Sequence, residues 1–177
     1  MFETNQFFLR EFIKEDWKAV HAYASQGIVS QYQPWGPNTE EETQQYIVEV
    51  LDQQLAKPRT SFTFAVVWKE TNEVIGAGEL SAIDNMNQSG EIGYILHPDF
   101  WRRGIATEVT LLLLEFGFRN KELNRISASC DLQNIGSQKV LAKSGMVKEG
   151  LLRQNLRMKK GWRDSLLYSI LKTEYIS

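Results

Sequence analysis

The segment Tyr94-Ile95-Leu96-His97-Pro98-Asp99-Phe100-Trp101-Arg102-Arg103-Gly104-Ile105-Ala106-Thr107-Glu108 decides how this chain is read. It opens on an apolar strand that stops at His97-Pro98, because proline has no backbone donor. From Ala106 to Phe118 almost every residue is apolar, including Val109 and Leu111 to Leu114, which predicts a helix buried on more than one side. The loop between them therefore lies on a helix N-terminus, where unpaired N–H groups and the positive end of the dipole favour anions. Gly104 lets the main chain approach a phosphate, and Arg102 and Arg103 add charge. A pyrophosphate fits this description, although an Arg-Arg-Gly triplet on its own also suits a solvated turn that caps a helix.

Working outward, Phe7, Leu9 and Phe12 suggest a first strand, and Trp17, Val20 and Tyr23 stand at helical spacing within Asp16 to Gln26. Pro34 to Asn38 is a turn, after which Thr39 and the acids Glu40, Glu41 and Glu42 predict a helix start. Tyr46, Ile47, Val50, Leu51 and Leu55 supply its apolar stripe, and Pro58-Arg59 ends it. Phe62 to Trp68 and Val74 to Ile83 read as a β-hairpin, followed by a further strand at Glu91 to Leu96. Gly76-Ala77-Gly78 lies inside a strand pattern with no helix after it, so it predicts a bulge or close backbone contact rather than a phosphate loop. Arg125 to Leu132 is strand-like, Gly136 to Lys143 a short helix, and two strand-like stretches run through Leu156 and through Leu166 to Leu171. These elements predict a mixed α/β fold, a mostly antiparallel sheet of about seven strands with helices on both faces. No repeat or linker divides residues 1–177, so one domain is expected.

Composition removes other classes. The net charge of −2 provides no positive field to collect a nucleic-acid backbone. No apolar run approaches a membrane span and Met1 to Arg10 does not resemble a leader, so a cytoplasmic protein is expected. One cysteine, Cys130, and two histidines, His21 and His97, are too few for a zinc cage, and no metal is expected. Asn87-Gln88-Ser89 spells a glycosylation site but reads as a polar turn.

The chain resembles the GNAT superfamily of N-acetyltransferases, whose signature loop is Gln or Arg, two free positions, Gly, one free position, then Gly or Ala. Trp101 to Ala106 fits that frame except at its first position, where Trp101 is similar to the branch of ribosomal-protein N-terminal acetyltransferases, as is Ala106-Thr107-Glu108. The resemblance runs from Leu9-Arg10 through Pro34-Trp35 to Asp164 and Tyr168. It implies acetyl-CoA as cosubstrate, bound by Arg102, Arg103, Gly104, Ile105, Ala106 and Thr107. It also implies a splayed central strand pair, with free backbone groups at Ile95 and Leu96 pairing the pantetheine arm and polarising the carbonyl. Asp131 to Ser137, leading into Lys143-Ser144-Gly145-Met146, looks like the second landmark, and places Asn134 and Lys143 with the cofactor. Asparagine is equally suited to a helix N-cap, and both roles fit one residue.

Many members carry a tyrosine acid where this chain has Leu141, and the resemblance to the ribosomal-protein branch implies an acid at Ser137. Glu91 lies where the histone-acetylating branch keeps its base, and Glu79 is a second candidate. Each glutamate also suits an arginine partner or a solvent-facing strand position. An α-amine must lose about 1 pKa unit of protonation at pH 7 and a lysine about 3, at about 1.4 kcal/mol per unit. The resemblance to the ribosomal-protein branch, together with this smaller cost, makes a protein or peptide α-amine the leading acceptor, with an aminoglycoside, polyamine or amino acid as the alternative. A non-catalytic acetyl-CoA-binding regulatory module is a third reading, and a homodimer is left open. Cys130 in an apolar strand suits the core better than a nucleophile, so direct transfer in a ternary complex is expected.

Overall fold

Six of the seven positions in Phe62–Trp68 are buried, so this strand is covered on both faces and must lie inside the sheet. The computed structural model describes residues 2–175. Its strands are β1 (Phe2–Glu3), β2 (Phe7–Glu11), β3 (Phe62–Trp68), β4 (Val74–Asp84), β5 (Ser89–Leu96), β6 (Arg125–Asp131), β7 (Val147–Arg157) and β8 (Trp162–Leu171). They form one eight-stranded sheet in the order β1-β2-β3-β4-β5-β6-β8-β7, antiparallel except between β5 and β6. The strand beyond the expected seven is β1, two residues held by a turn in which the Thr4 N–H donates to the Phe7 carbonyl at 2.8 Å. Two residues are too few to show an alternating pattern.

The helices are α1 (Trp17–Ala24), α2 (Gly27–Ser30), α3 (Glu40–Leu55), α4 (Ile105–Glu115) and α5 (Ile135–Lys143). On one face, α1 and α3 bury Val20, Tyr23, Ile47 and Val50 with Ala65, Val67 and Ala77 of the sheet. On the other, α4 buries Val109, Leu113 and Leu114 in the core that holds Val66, Leu80 and Ile92. Each fully buried Leu or Val contributes roughly 1.5–3 kcal/mol. Truncating Leu113 to Ala would cost about 2–5 kcal/mol, because a cavity remains. The apolar run continues past α4 as a π-helical turn, Phe116–Asn120, which carries Phe116 edge-on against Phe2, Phe62 and Phe64 at 5.4, 5.2 and 5.3 Å.

Helix α3 starts as its sequence predicts: the Thr39 hydroxyl accepts from the Glu42 N–H at 3.2 Å, and the Glu42 carboxylate accepts from the Thr39 N–H at 2.8 Å. The Gly76-Ala77-Gly78 run is a close backbone contact. A side chain at Gly76 would collide with the Ile95 carbonyl, and a Cβ at Gly78 would stand 2.8 Å from Val109 Cγ1. A register shift lies alongside it in β3, between Val66 and Val67. No helix among the described residues is long and apolar enough to cross a membrane.

Strands β5 and β6 pair in parallel only over Ser89–Glu91 and Arg125–Ser127. Beyond Glu91 they separate, which leaves the outer half of β5 with a free edge in the middle of the sheet. The site is built around that opening.

Candidate active site

Leu96 is followed by a short 3₁₀ turn, Pro98–Phe100, and the Trp101 indole N–H then donates back to the Leu96 carbonyl at 2.9 Å. This bond folds the loop over the end of β5. Arg102 and Gly104 both adopt positive φ, 62° and 82°, and Gly104 is the N-cap of α4 without a side-chain cap. Among the described residues, the N–H groups of Arg102, Arg103, Gly104, Ile105 and Ala106 donate to no protein acceptor. The first amide after them, Thr107, is already committed to the Gly104 carbonyl at 2.9 Å. A Cβ at Gly104 would meet nothing within 4 Å, so the cap opens into free space. Arg102 and Arg103 are exposed and engage in no ion pair among the described residues; Arg103 stacks over the Phe100 ring at 5.2 Å.

The phase of β5 follows from one bond, the His97 N–H donating to the Ile75 carbonyl at 2.8 Å. Hydrogen-bonded pairs alternate along an antiparallel ladder, so Ile95 is tied to Ala77 and Gly93 to Glu79 through their main chains. Ile92, Tyr94 and Leu96 turn their backbone groups towards the β6 side, as Gly90 does where its carbonyl accepts from the Ser127 hydroxyl at 3.3 Å. The main-chain groups that open to the splay are thus those of Tyr94 and the N–H of Leu96, whose carbonyl already accepts from the Trp101 indole. Ile95 instead presents its side chain to the cleft on the other face.

Across the splay, Asn134 caps α5, its Oδ1 accepting from the Ser137 N–H at 3.0 Å. Its side-chain amide donates to nothing among the described residues. Ser137 is half-buried in the first turn of α5, and the Tyr94 hydroxyl reaches its carbonyl at 3.5 Å. Burial raises the Tyr94 phenol above its ordinary range, so it stays protonated and remains a donor. Lys143 is exposed in the last turn of α5, at the opposite end from Asn134, and Leu141 is packed in the core. Burial pushes the Cys130 thiol up to about 11, so no thiolate is present at neutral pH.

The opposite face of the sheet carries a cleft of about 930 Å³, walled by α1, α3, the Pro34–Asn38 turn and sheet residues including Thr63, Glu79, Gly93 and Ile95. Glu79 lies half-buried in that wall and accepts from the Ser61 hydroxyl at 2.8 Å. Glu91 shares the sheet face but is exposed outside the wall, between Ser81 of β4 and Ser127 of β6. The β7–β8 hairpin closes one end: its turn brings Lys159 to the cleft, and Arg163 Nη1 donates to the Tyr32 carbonyl at 2.7 Å. Sequence reasoning did not assign a role to Tyr94, Trp35, Tyr46 or the α3 carboxylates. The signal for the α3 carboxylates was a polar stripe on an amphipathic helix, which reads equally well as a solvated face.

Residues 6–147 match the family "Acetyltransferase (GNAT) domain". The uncharacterized N-acetyltransferase p20 of Bacillus licheniformis is 33% identical over 172 residues, 97% of this chain and 96% of that protein. The crystal structure of an acetyltransferase (GNAT family) from Bacillus anthracis has a TM-score of 0.85 at 28% identity, covering 97% of this chain and 98% of that one. The ribosomal-protein-S5-alanine acetyltransferase from Vibrio fischeri has a TM-score of 0.82 at 26% identity, covering 99% of this chain and 98% of that one. GNAT enzymes use acetyl-CoA, and an uncapped helix N-terminus beside a splayed strand pair is the architecture such a donor needs. This chain belongs to the GNAT family and is an N-acetyltransferase.

Proposed function

We propose that the enzyme holds acetyl-CoA across the Gly104 loop and the β5–β6 splay, and acetylates the α-amine of a peptide or protein that enters through the α1–α3 cleft. The observation that carries this reading is the run of five main-chain N–H groups, Arg102 to Ala106, without acceptors at a helix N-terminus. A diphosphate fits that set: it matches the donors, the dipole and the open space at Gly104. Bound acetyl-CoA supplies a thioester as acyl donor and a thiol of pKa about 8.5 as leaving group.

The protein's own groups divide the remaining work. Arg102 and Arg103 attract the phosphates, and the amides from Arg102 to Ala106 fix them, with the Thr107 hydroxyl at the edge. The backbone groups of Tyr94 and the Leu96 N–H, together with the Asn134 amide, hold the pantetheine arm in register. Ser137, at the positive end of α5, donates a hydrogen bond to the departing sulfur. Glu79 takes the amine proton, directly or through one water, with Ser61 orienting its carboxylate. Its place in the cleft wall favours it over Glu91. An α-amine asks little of such a base, and the Vibrio fischeri relative, by its name, acts on the alanine of a ribosomal protein.

Thiol release from acetyl-CoA, measured against peptides with free and with blocked N-termini, tests the proposal. The free-terminus peptides should turn over and the blocked ones should not. Glu79→Gln should lower kcat/KM about 100-fold and Ser137→Ala about 10-fold, while Glu91→Gln stays within about twofold. Unchanged rates in both Glu79→Gln and Ser137→Ala would reject the catalytic assignment.

A further inference from the structure

The wall of the acceptor cleft contains four carboxylates, Glu41, Glu42, Glu49 and Glu79, against one cation, Lys159. Glu42, Gln45, Tyr46 and Glu49 follow the spacing i, i+3, i+4, i+7, so α3 turns one face of acid, amide and ring towards the cleft. Among the described residues, none of these four glutamates joins an ion pair. Three of them meet only neutral donors: Glu42 the Thr39 N–H at 2.8 Å, Glu49 the Gln45 amide at 3.0 Å, and Glu79 the Ser61 hydroxyl at 2.8 Å. Like charges gathered along one cavity repel one another, and nothing else in the cavity offsets them.

Two further features of the same wall point to a ligand. The Tyr23 hydroxyl is buried and has no hydrogen-bond partner among the described residues, although buried polar atoms are rarely left without one. Trp35 and Tyr46 also line the cleft, and aromatic faces attract cations.

We infer that the acceptor is a primary amine that carries at least one further positive charge, which Glu42 and Glu49 hold while Glu79 faces the reacting nitrogen. This deepens the proposed function and rests on it. The same chemistry is offered by a peptide with lysine or arginine close behind its free N-terminus and by a linear di- or triamine. The carboxylates select for the second charge, and the amine itself is acetylated by loss of one proton to Glu79 and of the thiolate from the donor.

The test compares matched acceptors in thiol release from acetyl-CoA. An alanine-rich peptide is set against the same peptide with lysine at its second and third positions, and butylamine against 1,4-diaminobutane and a linear triamine. The more highly charged members of at least one series should show kcat/KM higher by about 10-fold at low salt, expressed in KM, with the advantage shrinking at 0.5 M salt as screening predicts. The series that shows it identifies the source. The double variant Glu42→Gln with Glu49→Gln should remove most of that advantage and leave turnover of the monocationic acceptor within about twofold. Glutamine at position 42 can still accept from Thr39, so the start of α3 is kept. Equal kcat/KM within both series, or an advantage that survives the double variant, overturns the inference and leaves the acetyltransferase reading standing. No thiol release with any amine overturns both.

Discussion

Helices α3 and α4 begin in opposite ways. Helix α3 satisfies its first turn with a reciprocal Thr39–Glu42 cap and three glutamates. Helix α4 starts on a glycine in the left-handed region, with five amides in a row uncommitted. A capped terminus stabilises the fold by about 1 kcal/mol, so leaving α4 open forgoes stability that one side chain could supply. The contrast separates an end built for folding from an end built for binding.

The sharpest way to break the contrast is to cap α4. Gly104→Asp places an accepting carboxylate where a diphosphate would lie, so the dissociation constant for coenzyme A should rise at least about 100-fold, while the melting temperature falls modestly because a side chain at φ 82° is strained. Calorimetric titration beside a thermal melt checks both, and undiminished affinity would show that the phosphates bind elsewhere. A smaller effect follows from charge alone: Arg102→Ala with Arg103→Ala should weaken coenzyme A binding about 10-fold at low salt and less at 0.5 M. An identical loss at both salt concentrations would mean that the arginines act by shape.

Removing the other helix's cap should do the reverse. Thr39→Ala should cost about 1 kcal/mol of stability and leave coenzyme A affinity unchanged. Asn134→Ala, at α5, should cost a similar amount and also weaken binding, since its side chain serves the helix with one end and is free at the other. Denaturant melts with parallel titrations distinguish the pair.

The smallest effect is a pH dependence. The Glu41 carboxylate is held below its ordinary value near 4.5, first by its own backbone N–H and then by the Thr39 hydroxyl. A carboxylate with a depressed folded-state pKa stabilises the protein above the unfolded value and loses that contribution as pH falls through the folded one. The melting-temperature gap between the protein and Glu41→Gln should therefore be present above about pH 4.5 and close as the solution is acidified further. A gap constant down to pH 2 would assign the effect to packing.

The α4 loop and the α3 cap were legible in the sequence because both are local: a few adjacent residues set the conformation. The glycine run of β4 was legible for the same reason, since two glycines in an apolar strand announce a bulge or a close approach. What lay hidden depends on which residues end up side by side. Sequence could not show that β8 inserts between β6 and β7, nor that the β5 ladder commits Ile95 to Ala77 and leaves Tyr94 and the Leu96 N–H open. The sequence ranked Glu91 ahead of Glu79 as a base, yet of the two only Glu79 lines the cleft. Likewise α2 is four residues without an apolar period, too short to announce itself.

Gly78 extends these points to the mechanics of the sheet. Val109 and Leu113 settle onto it because there is no methyl group in the way, and Val109 lies four residues, or about 6 Å of helix, from the amide of Ile105. The seating height of α4 is thus decided at the sheet, and a rigid rod transmits it to the end that meets the nucleotide. Alanine at position 78 would act as a shim under a lever, tilting a binding surface that it never touches.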